Sequence, residues 1–160
     1  MKHLRDAASD HLRWTQTRLF DSNYELTDGS DVYVRLSFPR MFGTLAEAQT
    51  ADGTFTFKRT GFWHTRVTVR ADGSDDNLAV FEHATWSGGG TLTLANGRRI
   101  QITTNFWNSR IEGQFDGGPQ LFRYDTEGFM RLGATLELSP AATHCQNSRG
   151  FSPSAGISSS

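Results

Sequence analysis

Val32, Val34, Leu36 and Phe38 alternate with Tyr33, Arg35 and Ser37, the period-two pattern of a strand with one apolar and one polar face. The pattern recurs along the chain. Phe55 and Phe57 alternate with Thr54, Thr56 and Lys58, and Val67 and Val69 with Arg66, Thr68 and Arg70, on either side of Thr60-Gly61. Leu78/Val80, Leu92/Leu94 and Ile100/Ile102 follow, then a run from Phe106 to Phe115. Leu12–Phe20 and Tyr24–Leu26 add up to two strands before this block, and Pro119–Tyr124 and Phe129–Leu138 two after it. Thr44–Gln49 fits either a strand or a helical turn, because Leu45, Ala46, Glu47 and Ala48 form helices readily and strands poorly.

An offset of 44 residues organises these elements. It lays Ala51-Asp52-Gly53 on Ala95-Asn96-Gly97, Phe62-Trp63 on Phe106-Trp107, and Arg66-Val67 on Arg110-Ile111. It also lays Asp28-Gly29-Ser30-Asp31 on Asp72-Gly73-Ser74-Asp75. Residues 28–71 and 72–115 therefore read as two copies of one unit with about four strands each. Asp28-Gly29, Asp52-Gly53, Asp72-Gly73, Asn96-Gly97 and Asp116-Gly117 stand at the joints, where tight hairpins require the positive φ that Gly, Asn and Asp tolerate. The expected fold is all-β: one internally duplicated antiparallel barrel of about twelve strands over residues 12–138. A polar, fraying segment (1–11) precedes it, and a disordered tail (139–160), rich in Ser, Gly, Ala and Pro, follows it.

Composition removes several function classes. Sixteen Lys and Arg against 17 Asp and Glu give a net charge of −1, so no global field draws the chain to nucleic acid. Cys145 is the single cysteine and closes no intrachain disulfide; with no apolar h-region in Met1–Trp14, a cytoplasmic location is expected, peripheral to a membrane if lipid is bound. No apolar run reaches the ~18 to 20 residues of a membrane-spanning helix.

Twelve strands raise a packing problem. Side chains just fill the lumen of a barrel of about eight strands, so a wider one needs a helix, a ligand, water, or flattening into a sandwich. The inward Val, Leu, Ile and Phe set argues against a wet channel. The stretch Thr54-Phe55-Thr56-Phe57-Lys58-Arg59-Thr60-Gly61-Phe62-Trp63, the run Trp86-Ser87-Gly88-Gly89-Gly90-Thr91-Leu92 and the duplicated four-strand unit resemble the tubby C-terminal-like superfamily, which includes LURP-one-related proteins and phospholipid scramblases. That resemblance implies a twelve-stranded barrel around a hydrophobic helix near the C-terminus, and phosphoinositide binding. The chain departs from it after Leu138, where Ser139-Pro140 opens a polar tail and the central helix is missing.

Chemical motifs are sparse. His3, His11, His64, His83 and His144 show no metal-ligand spacing, and no nucleophile elbow, Walker loop or dinucleotide fingerprint is present. No catalytic residue, metal or cofactor is expected. Gly88-Gly89-Gly90 reads as a flexible hairpin corner, and Glu82-His83 and Asp75-Asp76 as solvated strand ends. Phe62-Trp63 and Phe106-Trp107 each turn one ring outward if they lie within strands, either covering a hairpin base or forming a patch for a membrane or a protein partner. Lys58, Arg59, Arg98 and Arg99 either solubilise the exterior or, sharing one rim with Trp63 and Trp107, grip phosphorylated head groups. The expected role is a non-enzymatic binding or scaffold module for anionic phospholipid. The rivals are a lipocalin-like carrier of an apolar small molecule and an enzyme whose residues meet only in space.

Overall fold

The computed structural model describes residues 1–7, 11–17, 22–39, 44–61, 65–84, 88–105, 109–127 and 133–142. It is a closed antiparallel barrel in which each of twelve strands pairs with its sequence neighbours and β12 returns to β1. The strands are β1 (His11–Gln16), β2 (Asn23–Thr27), β3 (Val32–Ser37), β4 (Leu45–Thr50), β5 (Gly53–Thr60) and β6 (Arg66–Ala71), then β7 (Asn77–Ala84), β8 (Gly89–Leu94), β9 (Arg99–Thr104), β10 (Arg110–Phe115), β11 (Gln120–Glu127) and β12 (Gly133–Leu138). Closure leaves no edge strand, so no strand presents a free edge for pairing with another chain. The segment open to helix or strand is β4; pairing with β3 and β5 overrides the helix propensity of Leu45–Ala48.

Some strand starts recur at 44 residues and others do not. β4, β8 and β12 begin at Leu45, Gly89 and Gly133, and β6 and β10 at Arg66 and Arg110, whereas β5 and β9 begin at Gly53 and Arg99 and β3 and β7 at Val32 and Asn77. The β12–β1 closure, with Leu136 opposite Leu12, occupies the place that Leu92 opposite Ile100 holds between β8 and β9.

Cross-strand partners share a face, so the ladder sorts the side chains. One continuous band runs Leu12–Trp14–Leu26–Val34 and on through Ala48, Phe55, Val69 and Ala79. It continues through Leu94, Leu92, Ile100, Phe115, Ile111, Tyr124 and Leu136. This band is the inner face. The outer face carries Glu25, Arg35, Glu47, Arg66, Glu82, Arg110, Glu112, Arg123 and Asp125, joined by cross-strand ion pairs. Arg35 Nε lies 2.8 Å from Glu25 Oε1, Arg110 Nε 2.7 Å from Asp125 Oδ1, Arg123 Nε 3.0 Å from Glu112 Oε1, and Arg66 pairs with Glu82.

Three bulges adjust this alternation, at Leu26/Thr27, Val69/Arg70 and Gly113/Gln114. The first leaves Tyr33 as the extra residue of β3. Strict alternation places Tyr33 outside with Arg35; the bulge instead buries it to 1% exposure beside Leu12 and Leu26. The third bulge buries Leu121 at 5%. The second leaves Leu78 exposed at 37%, so on β7 it is Ala79 and Phe81, not Leu78 and Val80, that join the Leu92/Leu94 face.

Residues 1–7 lie against the barrel. Lys2 N–H donates to Val32 O at 3.1 Å, Lys2 Nζ pairs with Asp31 at 2.7 Å, and a 3₁₀ turn at Leu4–Asp6 sets Leu4 and Ala7 against Leu12, Leu26 and Tyr33. Ser139 N–H donates to Leu121 O at 2.8 Å, which ties the start of the C-terminal segment to β11. The rest of the expected tail, 143–160, lies outside the described residues.

The three glycines expected to form a flexible corner are tightly held. Gly88 takes φ +64°, while Gly89 and Gly90 open β8 and are buried. A Cβ on Gly89 would sit 3.2 Å from the Ile102 carbonyl carbon, and one on Gly90 would overlap the Phe81 ring. Close backbone approach, not turn freedom, is their role there.

Candidate functional site

The lumen is the candidate site. Strands lie about 4.8 Å apart and tilt by about 35–45° in barrels, so a round barrel of this strand number is roughly 24 Å across between backbones. Facing side-chain layers fill only about 10 Å. The inner face agrees with that geometry: among the described residues it reaches full burial mainly at Leu12, Leu26, Ala48, Ala79, Ile100 and Ala134. Trp14, Phe55, Phe57, Val69, Leu92, Ile102, Phe122 and Tyr124 are only half-buried. These large apolar side chains of the inner face keep part of their surface uncovered.

The two ends of the barrel differ. One end carries the turns led by Asp28, Asp52, Asp72, Asn96 and Asp116, together with both terminal segments. There Leu4, Ala7 and Leu138 pack on the cluster of Leu12, Leu26 and Tyr33, closing part of that end. Arg98 stacks over the Phe115 ring at 3.7 Å. The opposite end is where β5 finishes at Thr60 and β7 at Ala84, and where the longer connections leave. On the outer face beside it lies an open groove of about 530 Å³ lined by Thr60, Thr65, Arg66, Glu82 and His83.

Of the residues expected to form one basic rim, Lys58 and Arg59 sit near the end of β5, at the end of the barrel away from the Asp-Gly turns. Arg98 and Arg99 sit at the start of β9, at the opposite end of the barrel. The four do not share a rim. Lys58 belongs to the outer face, opposite Thr68, and Arg59 to the inner register, opposite Val67. Trp63 and Trp107, with the neighbouring Phe62 and Phe106, lie outside the described residues. The signal that separates the two pairs was present in the sequence: Lys58 stands a full strand beyond the Asp52-Gly53 turn, whereas Arg98 directly follows Asn96-Gly97.

Charged groups otherwise behave as a solvated exterior. Glu82 is taken by Arg66, Asp75 lies 3.7 Å from Arg70 Nη1, and the His83 ring stands edge-on to Phe81 with centroids 6.4 Å apart. Asp28 is the exception. It accepts the Tyr33 hydroxyl at 2.6 Å and the N–H groups of Ser30 and Asp31 at 2.9 Å each. Led by the Tyr33 bond, these hold its carboxyl down at about 2. In the lumen, burial raises the Tyr124 phenol above 10, and the facing Tyr24 adds to it.

Among the described residues no group of three His, Cys, Asp or Glu is placed to hold a metal ion, and no helix is long and apolar enough to cross a membrane. The outer face is charged where a membrane-spanning barrel presents apolar side chains to lipid. Comparison with known families, curated proteins and solved structures gave no match.

Proposed function

We propose that the protein is a non-enzymatic binding module whose barrel lumen holds an apolar guest. The observation that carries this reading is the half-burial of Phe57, Val69, Leu92, Ile102 and Phe122 on the inner face of a closed wall. Each methylene of a guest transferred to such a lining contributes about 0.8 kcal/mol, so a chain of modest length overcomes the cost of association. The plugged-scaffold alternative, drawn from the tubby-like resemblance, rests on the same closed wall and needs a helix in the same space. The recurrence of the β4, β8 and β12 starts at 44 residues is in keeping with a wall assembled from repeated units.

A neutral solvatochromic dye such as Nile red tests the lumen without involving charge. The intact chain is expected to bind it saturably with one site. Val69→Trp, which fills space between Phe57 and Ala79, should weaken binding at least tenfold while circular dichroism stays unchanged. Unsaturable binding, or equal affinity in the filled variant, would contradict the reading.

A further inference from the structure

We infer that the guest is an anionic single-chain amphiphile, a long-chain carboxylate whose head group pairs with Arg59 at the end of the barrel opposite the Asp-Gly turns. This deepens the lumen reading above and rests on it. The strand acids whose side chains the structure describes, Glu25, Glu47, Glu82, Glu112, Asp125 and Glu137, stand on the outer register. There they serve the outer arginines: Arg35, Arg66, Arg110 and Arg123 each have a carboxylate partner.

Arg59 belongs to the other face. It follows Phe55 and Phe57 in the inner column of β5, opposite Val67, and its guanidinium meets no carboxylate among the described residues. Its backbone is fixed by a 2.7 Å bond from its N–H to Thr44 O. Arg98, at the turn end of the barrel, stacks on Phe115. An arginine at the rim of an apolar lumen, with the acids on the opposite face, presents a planar fork of donors that fits a carboxylate bidentately.

The depth of the lumen fits an alkyl tail. A strand of eight residues such as β5 runs roughly 26 Å along its own axis and, at the usual tilt, roughly 20 Å along the barrel. A head group at Arg59 therefore leaves the tail against Phe57, Phe55 and the floor formed around Leu12 and Leu26. Lys58, on the outer side of the same strand end, adds to the positive potential there.

The test is calorimetric titration of the full chain with palmitate and, separately, hexadecanol, which keeps the tail and removes the charge. Palmitate is expected to bind about tenfold tighter than hexadecanol, the gain of one charge-assisted pair at a partly solvated site. Arg59→Gln should abolish that difference and leave hexadecanol unaffected. Arg59→Lys should retain part of it, and Arg35→Gln, on the outer face, should change nothing. Equal binding of the two probes to the unmodified chain, or an Arg59→Gln loss shared by both, overturns the head-group assignment while leaving the lumen reading intact. Failure of both probes to bind overturns both.

Discussion

The Tyr33 hydroxyl donates a 2.6 Å hydrogen bond to Asp28 Oδ2, joining a buried bulge residue to the first of the Asp-Gly turns. The bond favours the ionised carboxylate, so Tyr33→Phe should raise the Asp28 pKa from about 2 toward 3.8. Carboxyl-carbon NMR titration reads this directly. Because the folded-state pKa is depressed, the contribution to stability is present above about 4 and is lost as pH falls toward 2. An Asp28 pKa unaltered in the variant would show that the turn amides alone set it.

Gly113 faces Phe122 across β10 and β11, and a Cβ on Gly113 would lie 2.9 Å from Phe122 Cδ1 and nearer still to two other ring carbons. Gly113→Ala forces the ring or the wall to move, with an expected cost of about 1–3 kcal/mol. Urea denaturation of Gly113→Ala, and of Gly113→Ala with Phe122→Leu, checks this; the second change should recover most of the loss. An additive loss would show that the ring is not the obstacle.

Burial lifts the Tyr124 phenol above 10. The unfolded chain ionises first as pH rises, so this residue's contribution is fully present below pH 10 and is lost as pH climbs through the raised folded value. Ultraviolet titration of the intact chain against Tyr124→Phe should assign the late-ionising phenol to Tyr124. Tyr24→Phe should bring Tyr124 part of the way back by removing a neighbouring negative charge.

Leu4 and Ala7 cover the cluster of Leu12, Leu26 and Tyr33. Leu4→Ala should cost about 1–2 kcal/mol, less than a fully buried leucine. Hydrogen exchange should accelerate at β1 and β3, whose residues line that cluster, and stay unchanged at β8 and β9. Uniform acceleration would mean that the terminal segment stabilises the barrel without acting as a local floor.

Much of this architecture was legible in the chain. Period two marked the strands, and Asp-Gly and Asn-Gly marked the hairpins, because both are local properties of side-chain alternation and backbone φ. The bulges were not legible: whether Tyr33 points in or out depends on its register with Leu26 and Thr27 on a different strand. The face of β7 was misread for the same reason, since Leu78 sits at such an irregularity. The terminal segment looked solvated because its few apolar residues, Leu4 and Ala7, carry no periodicity; their value lies in the floor they meet. Of the candidate site, the apolar inner set was visible from alternation. The division of Lys58 and Arg59 from Arg98 and Arg99 required counting which way each strand runs from its turn.

Intermolecular NOEs from a protonated palmitate to a methyl-labelled, otherwise deuterated chain probe the lumen most directly. Val69, Leu92, Ile102 and Leu136 face inward, while Val80, paired with Thr68 and Thr93, faces outward. Occupation of the lumen predicts cross-peaks from the alkyl tail to the inward methyls and none to Val80. Cross-peaks confined to Val80 and the exposed Leu45 and Leu78, or none at a saturating concentration, would contradict it.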